Sequence, residues 1–160
     1  MNFFRCFALS IFLSAFSPVF AGELDDASEV SVVIEILYNY SPEAGGKKWR
    51  AKPCFWCLAD EMQTILDEQL LAAIGPAGKA QNRLIACIGG DPLVDAQDVR
   101  LTDFRIDIPE IQGNTVTASV HFRNFGAPGV TKIKLHKIAD GWVVTDIGNL
   151  RAELEQCAKP

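Results

Sequence analysis

The chain has 160 residues, of which 49% are hydrophobic and 22% charged, and its formal net charge is −5. This length and apolar content fit one domain with a packed core, which excludes a wholly disordered chain. The acidic balance argues against nucleic acid or an anionic membrane surface as the main partner.

The N-terminus has the pattern of a secretory signal peptide. One basic residue precedes an apolar run, and the small residues Val19 and Ala21 stand before Gly22 at the positions that signal peptidase reads. We therefore expect a signal peptide at 1–21 and a single mature domain at 22–160. The mature protein would be periplasmic or secreted, with no membrane anchor after cleavage. A buried N-terminal helix is the alternative.

Helical periodicity dominates the first half of the mature chain. Apolar residues recur at helical spacing over Asp25–Tyr40, and again from about Cys57 to Ile74. Residues 41–53 between them are predicted to form a loop with a basic patch around Trp49. This patch is either a solvated loop or a contact for an acidic partner.

Period-two alternation predicts strands in the second half. It is clearest over Thr115–Arg123 and Val130–Ile147. It also covers Val99–Ile108, where a change of face around Thr102-Asp103 indicates a bulge or a break. Asp140-Gly141 between two runs of β-formers predicts a hairpin with a two-residue type I′ turn.

That turn sets the register of the hairpin. Leu135 then faces Asp146, and both share one face with Trp142, while residues 124–129 form the preceding turn. Helices followed by a meander of three or four antiparallel strands predict an α+β fold, with the helices covering one face of the sheet.

Two segments carry a family resemblance. Residues 89–98, GGDPLVDAQD, and the later VTKIKLHKIADGWVVTDI resemble a family of exported bacterial proteins and lipoproteins of unknown function. Over roughly residues 28–155 the chain is similar to the NTF2-like (cystatin-like) superfamily, in which a curved antiparallel sheet wraps helices into a cone. The chain lacks the lipid-acceptor cysteine of the lipoprotein members. The resemblance implies a fold but no reaction.

Cysteine usage offers a second line of inference. Cys54, Cys57, Cys87 and Cys157 follow the leader, and an even number in an exported domain indicates disulfides, with three pairings open. The Cys54-x-x-Cys57 spacing also makes these two residues candidate redox cysteines. We favour a structural framework that ties them to Cys87 and Cys157. A four-cysteine zinc site is the third alternative.

Asp146 is a candidate pocket acid. On the predicted register it lies on the helix-covered face, where a carboxylate needs a partner or a wet pocket. Because NTF2-like enzymes place acids inside the cone as bases, the resemblance implies a candidate pocket of Asp146, Trp142, Tyr38 and Tyr40. The alternative is a solvated acid at the open end of the sheet.

Other polar residues favour simpler roles. His121 and His136 fall on the polar faces of neighbouring strands, where they would share a surface or a metal, or simply be exposed, which we prefer. Asp91, Gln97 and Asp98 are expected to hold a turn through bonds from side chain to backbone.

The sequence thus predicts an exported, disulfide-containing binding module that performs no chemistry, including inhibitor or immunity roles. Its partner would be an unknown protein or small ligand in the periplasm, and no cofactor or metal is expected. The alternatives are a thiol–disulfide redox protein using Cys54 and Cys57, or an NTF2-like pocket enzyme using Asp146.

Overall fold

The computed structural model describes residues 25–41, 48–49, 53–57, 64–75, 83 and 86–158. The predicted signal peptide lies outside this part of the chain, and so does most of the predicted loop at 41–53 with its basic patch. The side chains of Tyr40, Trp49 and Cys57 also lie outside it. Among the described residues, no helix is long and apolar enough to cross a membrane.

Short elements make up the first half of the described chain. They are α1 (Asp26–Leu37), β1 (Tyr40–Ser41), β2 (Lys48–Trp49), a 3₁₀ turn (Phe55–Cys57) and α2 (Glu68–Ile74). Asp25 caps α1, because its carboxylate accepts the backbone N–H of Ser28 at 2.8 Å. β1 and β2 pair antiparallel, so residues 48–49 of the predicted loop at 41–53 form a short ladder with Tyr40 and Ser41.

A four-stranded antiparallel sheet with strand order β3-β4-β5-β6 forms the second half. Its strands are β3 (Leu101–Asp107), β4 (Thr115–Asn124), β5 (Ala127–Ile138) and β6 (Gly141–Ile147), and α3 (Leu150–Cys157) follows them. Helices and an antiparallel sheet together confirm the predicted α+β class.

The core lies on the inner face of the sheet, where α1 packs against β6. The alternation in β4 produces this face directly, since every second side chain of an antiparallel strand points to the same side. The largest fully buried side chains come from α1, α2, α3, the sheet and the loop before β3: Ile34, Leu37, Tyr38, Leu70, Leu93, Ile133, Leu135, Ile147, Leu150 and Leu154.

The predicted bulge in the first long strand is confirmed. The register of β3 against β4 shifts between Thr102 and Arg105, and Asp103 has a φ of 55°. An extra residue in one strand re-aims the side chains that follow it, which accounts for the change of face seen in the sequence.

The β5–β6 hairpin turns one residue earlier than predicted. Ile138 pairs with Gly141, so Ala139 and Asp140 occupy the turn. Asp140 keeps a negative φ, and only Gly141 adopts a positive one, 125°. A type I′ turn centred on Asp140 and Gly141 would need positive φ at both positions, so that prediction is wrong.

The predicted position of Asp146 is therefore also wrong. Leu135 pairs with Val144, and a bulge in β6 then places Asp146 opposite Lys134. Because paired residues share a face, Asp146 points to the outer side of the sheet with Lys134. Ile147, one residue further on, returns to the core.

α2 begins at Glu68, and residues 58–63 of the helix predicted from about Cys57 lie outside the described part of the chain. Asp67 caps this helix, since its carboxylate accepts the backbone N–H of Leu70 at 2.7 Å. The N–H of Asp67 donates to the carbonyl of Val144 at 2.9 Å, and the residue before it forms a parallel bridge with Val144. The backbone here extends the edge of the sheet beside β6, and it is not available for a helix.

The predicted turn at 124–129 is shorter than expected. Only Phe125 and Gly126 turn, with φ of 49° and 83°, and β5 begins at Ala127. Positive φ at both central residues is the requirement of a two-residue type I′ hairpin.

Candidate functional site

The loop at residues 89–96 is hydrogen-bonded to the end of α1, to the 3₁₀ turn and to the sheet. Asp91 makes several of the bonds that hold this loop. Asp91 is only 7% exposed, and its two carboxylate oxygens accept the backbone N–H groups of Leu93 at 2.9 Å and Phe55 at 2.6 Å. The N–H of Asp91 donates to the carbonyl of Ala96 at 2.9 Å. This confirms that Asp91 holds a turn.

The carbonyl of Leu93 fixes the other side of the loop. It accepts hydrogen bonds from the hydroxyl groups of Tyr38 at 2.7 Å and Thr131 at 2.8 Å. Burial raises the pKa of Tyr38 well above its usual range, so the phenol remains a hydrogen-bond donor at physiological pH. The end of α1, the loop and β5 are thereby bonded to one another.

A cleft of about 500 Å³ opens beside this loop. We call it the loop–helix cleft, because the loop forms one wall, the start of α3 forms another, and β5 with the end of β6 forms its base. Its lining residues are Ile88, Gly90, Asp91, Pro92, Asp95, Val130, Thr131, Lys132, Ile147, Gly148, Asn149 and Glu153.

The charged groups of the loop–helix cleft differ in what they can offer a ligand. The carboxylate of Asp91 is engaged by backbone N–H groups, as described above. Asp95, Lys132 and Glu153 are exposed, and within the described part of the chain their charged groups form no ion pair. These three side chains are therefore the charges that a ligand would meet.

A disulfide joins two walls of the cleft. Cys87 is bonded to Cys157, with an S–S distance of 1.97 Å. Ile88, which lines the cleft, follows Cys87 directly, and Glu153 lies one helical turn before Cys157 on the same side of α3. This bond rules out the predicted framework that ties Cys54 or Cys57 to Cys87 and Cys157, and it uses two of the sulfurs that the zinc alternative needs.

The C-x-x-C segment contacts the same loop. Cys54 is disulfide-bonded, and neither Cys87 nor Cys157 is its partner, because these two bond each other. The indole N–H of Trp56 donates to the carbonyl of Gly90 at 3.1 Å, next to the bond from Phe55 to Asp91. The redox role of Cys54 and Cys57 stays a prediction.

Asp146 lies near the end of β6, and its carboxylate reaches the first turn of α3. One carboxylate oxygen accepts a hydrogen bond from the ammonium of Lys134 at 2.9 Å. The other accepts hydrogen bonds from the backbone N–H groups of Ile147 at 3.0 Å and Arg151 at 3.2 Å. Asn149, the N-cap residue, makes no side-chain capping bond, so Asp146 supplies this anchor to the helix.

The proposed pocket residues do not share a site around Asp146. The hydroxyl of Tyr38 is bonded to the loop, and the indole N–H of Trp142 donates to Asp26 on α1 at 3.2 Å. Asp146 is on the outer face of the sheet, as its pairing with Lys134 shows. The side chain of Tyr40 lies outside the described residues.

The histidines lie apart. His136 pairs with Thr115, which lies six positions before His121 on β4. Because six residues of a strand span roughly 20 Å, the two imidazoles do not share a metal. The imidazole of His121 is 2.9 Å from the carboxylate of Asp107, on the outer face of the sheet. A second, more open groove of about 740 Å³ crosses this face near Thr117 and Ser119.

Sequence reasoning missed the charged cleft residues. Asp95, Lys132 and Glu153 were not singled out, because they belong to a loop, a strand and a helix that are distant in sequence. The Asp91 loop was found, since Gly-Gly-Asp-Pro is a local turn signal. Comparison with protein-family models, curated proteins and solved structures finds no match to this chain.

Proposed function

We propose that the chain is an exported binding module that holds a small ligand in the loop–helix cleft and catalyses no reaction. The observation that carries this proposal is the cleft itself, whose volume of about 500 Å³ falls within the range of roughly 300–1,000 Å³ that is typical of ligand sites. Export rests on the predicted leader at 1–21.

The surrounding polar groups support binding rather than catalysis. The carboxylate of Asp91 and the hydroxyl of Thr131 are bonded to backbone groups, and Asp146 anchors α3. A general base must reach the proton that it abstracts, and these groups already have partners. Their bonds instead hold the walls of the cleft in place, which reduces the entropy cost of binding.

We also propose an NTF2-like relationship. An antiparallel sheet of four strands with α1 packed on its inner face supports it. The loop–helix cleft would then lie at one end of the cone, between the loop before the sheet and the helix after it.

A blocking substitution tests the proposed site. Val130 is 56% exposed and lines the cleft, whereas Ile138 is 45% exposed on the same strand and does not line it. We expect Val130→Trp to weaken the binding of small fragments, measured by ligand-observed NMR on the mature protein, by at least tenfold. Ile138→Trp is the matched control and should leave binding unchanged. Equal affinities for both variants would overturn the proposal.

Thiol–disulfide exchange is the second candidate function. It is favoured by one observation, that Cys54 is in a disulfide separate from the Cys87–Cys157 bond. In this reaction a dithiol partner would reduce the Cys54 disulfide and leave with a disulfide of its own. Peptide mapping with mild reductant tests it. A Cys54–Cys57 disulfide that opens before Cys87–Cys157 supports exchange, and simultaneous opening of both counts against it.

A further inference from the structure

The charges that line the loop–helix cleft have both signs and come from separate walls. Asp95 belongs to the loop and Glu153 to α3. Lys132 belongs to β5 and lies between the loop–helix cleft and the groove on the outer face of the sheet, because it lines both. Among the described residues Lys132 forms no ion pair with either carboxylate, so the positive and negative groups stand apart from each other. A ligand that carries one charge of each sign can therefore engage both without displacing an existing ion pair.

Apolar side chains complete the lining. Ile88, Pro92 and Val130 come from the same walls and base as the charges. They would bury the apolar body of a ligand, and the amide of Asn149 adds a hydrogen-bond donor and acceptor beside them.

We infer that the ligand is an apolar zwitterion, a short peptide with free termini, an inference that rests on the proposed function. Its ammonium would approach Asp95 and Glu153, and its carboxylate would approach Lys132. A ligand with one charge leaves the opposite group of the cleft unpaired or repelled. A neutral apolar ligand covers the charges without pairing them, which costs free energy.

Trileucine in four forms tests the inference by isothermal titration calorimetry on the mature protein at low salt. The forms are free, N-acetylated, C-amidated and doubly capped. We expect the free peptide to bind most tightly, and each single cap to weaken binding by at least fivefold. Equal binding of the free and doubly capped peptides would overturn the inference.

Charge-removing variants assign each terminus. In the Lys132→Met variant, amidation of the peptide C-terminus should no longer weaken binding. With Glu153→Gln, the penalty of N-acetylation should shrink. Glu155→Gln on the same helix is the matched control, because Glu155 is exposed and does not line the cleft. Unchanged penalties in both cleft variants would contradict the assignment.

The two proposals fail differently. If small fragments bind and Val130→Trp blocks them, but capping a peptide makes no difference, the binding module stands and the zwitterion inference falls. If no fragment and no peptide binds at the cleft, the proposed function itself falls.

Discussion

The carboxylate of Asp91 accepts the backbone N–H of Phe55 at 2.6 Å, across 36 positions of the chain. This bond fastens the C-x-x-C segment to the loop that forms one wall of the cleft. The other oxygen of the same carboxylate holds the N–H of Leu93 inside the loop at 2.9 Å. One buried acid therefore positions both segments.

Removing this carboxylate should be costly. Asp91→Ala leaves two backbone N–H groups without their acceptor, and hydrogen bonds to charged groups each contribute about 1.5–3 kcal/mol. We expect the free energy of unfolding, measured with urea, to fall by about 3 kcal/mol. Asp98→Ala is the control, since Asp98 is exposed and, contrary to the expectation from the sequence, its side chain forms no hydrogen bond among the described residues. This variant should change stability by less than about 0.5 kcal/mol. Equal effects would contradict the role of Asp91.

The Cys87–Cys157 disulfide should contribute strongly to the free energy of unfolding. Its cysteines are separated by 70 positions, and a loop of this size gives about 4 kcal/mol in the chain-entropy model. Cys87→Ala, Cys157→Ala and the double variant should each lose this amount in urea unfolding, because the bond needs both sulfurs. A double variant that loses twice as much as either single variant would show that the two residues act independently.

Asp26 should make stability depend on pH. The hydrogen bond from Lys137, and then that from Trp142, hold the pKa of Asp26 below its ordinary value of 3.8. Because the folded-state pKa of Asp26 is lowered, the ionised carboxylate stabilises the fold fully at pH values above 3.8. This stabilisation is lost as the pH falls through the folded-state pKa. The stability difference between wild type and Asp26→Asn should therefore be constant near neutral pH and shrink in acid.

Urea unfolding across this pH range measures that difference. Lys137→Met is a second test, because it removes the main cause of the lowered pKa and should flatten the same part of the profile. A difference between wild type and Asp26→Asn that stays constant into strong acid would contradict the assignment.

Phe125 should be replaceable with a gain in stability. It is 62% exposed and has a φ of 49°, a left-handed conformation that costs most side chains about 1 kcal/mol. Asparagine tolerates this conformation, and Asn-Gly is the favoured pair for such a turn. We expect Phe125→Asn to stabilise the protein by about 0.5–1 kcal/mol in thermal unfolding, and Phe125→Ala to give no gain. Destabilisation by asparagine would mean that the ring has a structural role.

The strands were predictable because their signal is local. Alternation over Thr115–Arg123 needs only neighbouring residues, and the bulge at Asp103 appears as a change of face in the alternation over Val99–Ile108. The position of Asp146 was not predictable in the same way. It depends on where the hairpin turns and on a bulge in β6, and a shift of one residue moves a side chain to the other face.

The cleft could not be predicted from the sequence, for a related reason. Its walls come from residues as far apart as Ile88 and Glu153, and no sequence periodicity links them. Four cysteines allow three pairings, and the sequence does not choose among them. The Cys87–Cys157 pairing follows from the packing of α3 beside the segment at 86–88. Asp91 was correctly placed, because a turn residue bonds to its own neighbourhood.

The most direct test of this account is an amide chemical-shift map of the ¹⁵N-labelled mature protein with free trileucine. We predict shifts at Gly90, Gly148 and Asn149, which line the loop–helix cleft. Shifts confined to Thr117 and Ser119, in the groove on the outer face of the sheet, would contradict the assignment of the cleft as the binding site.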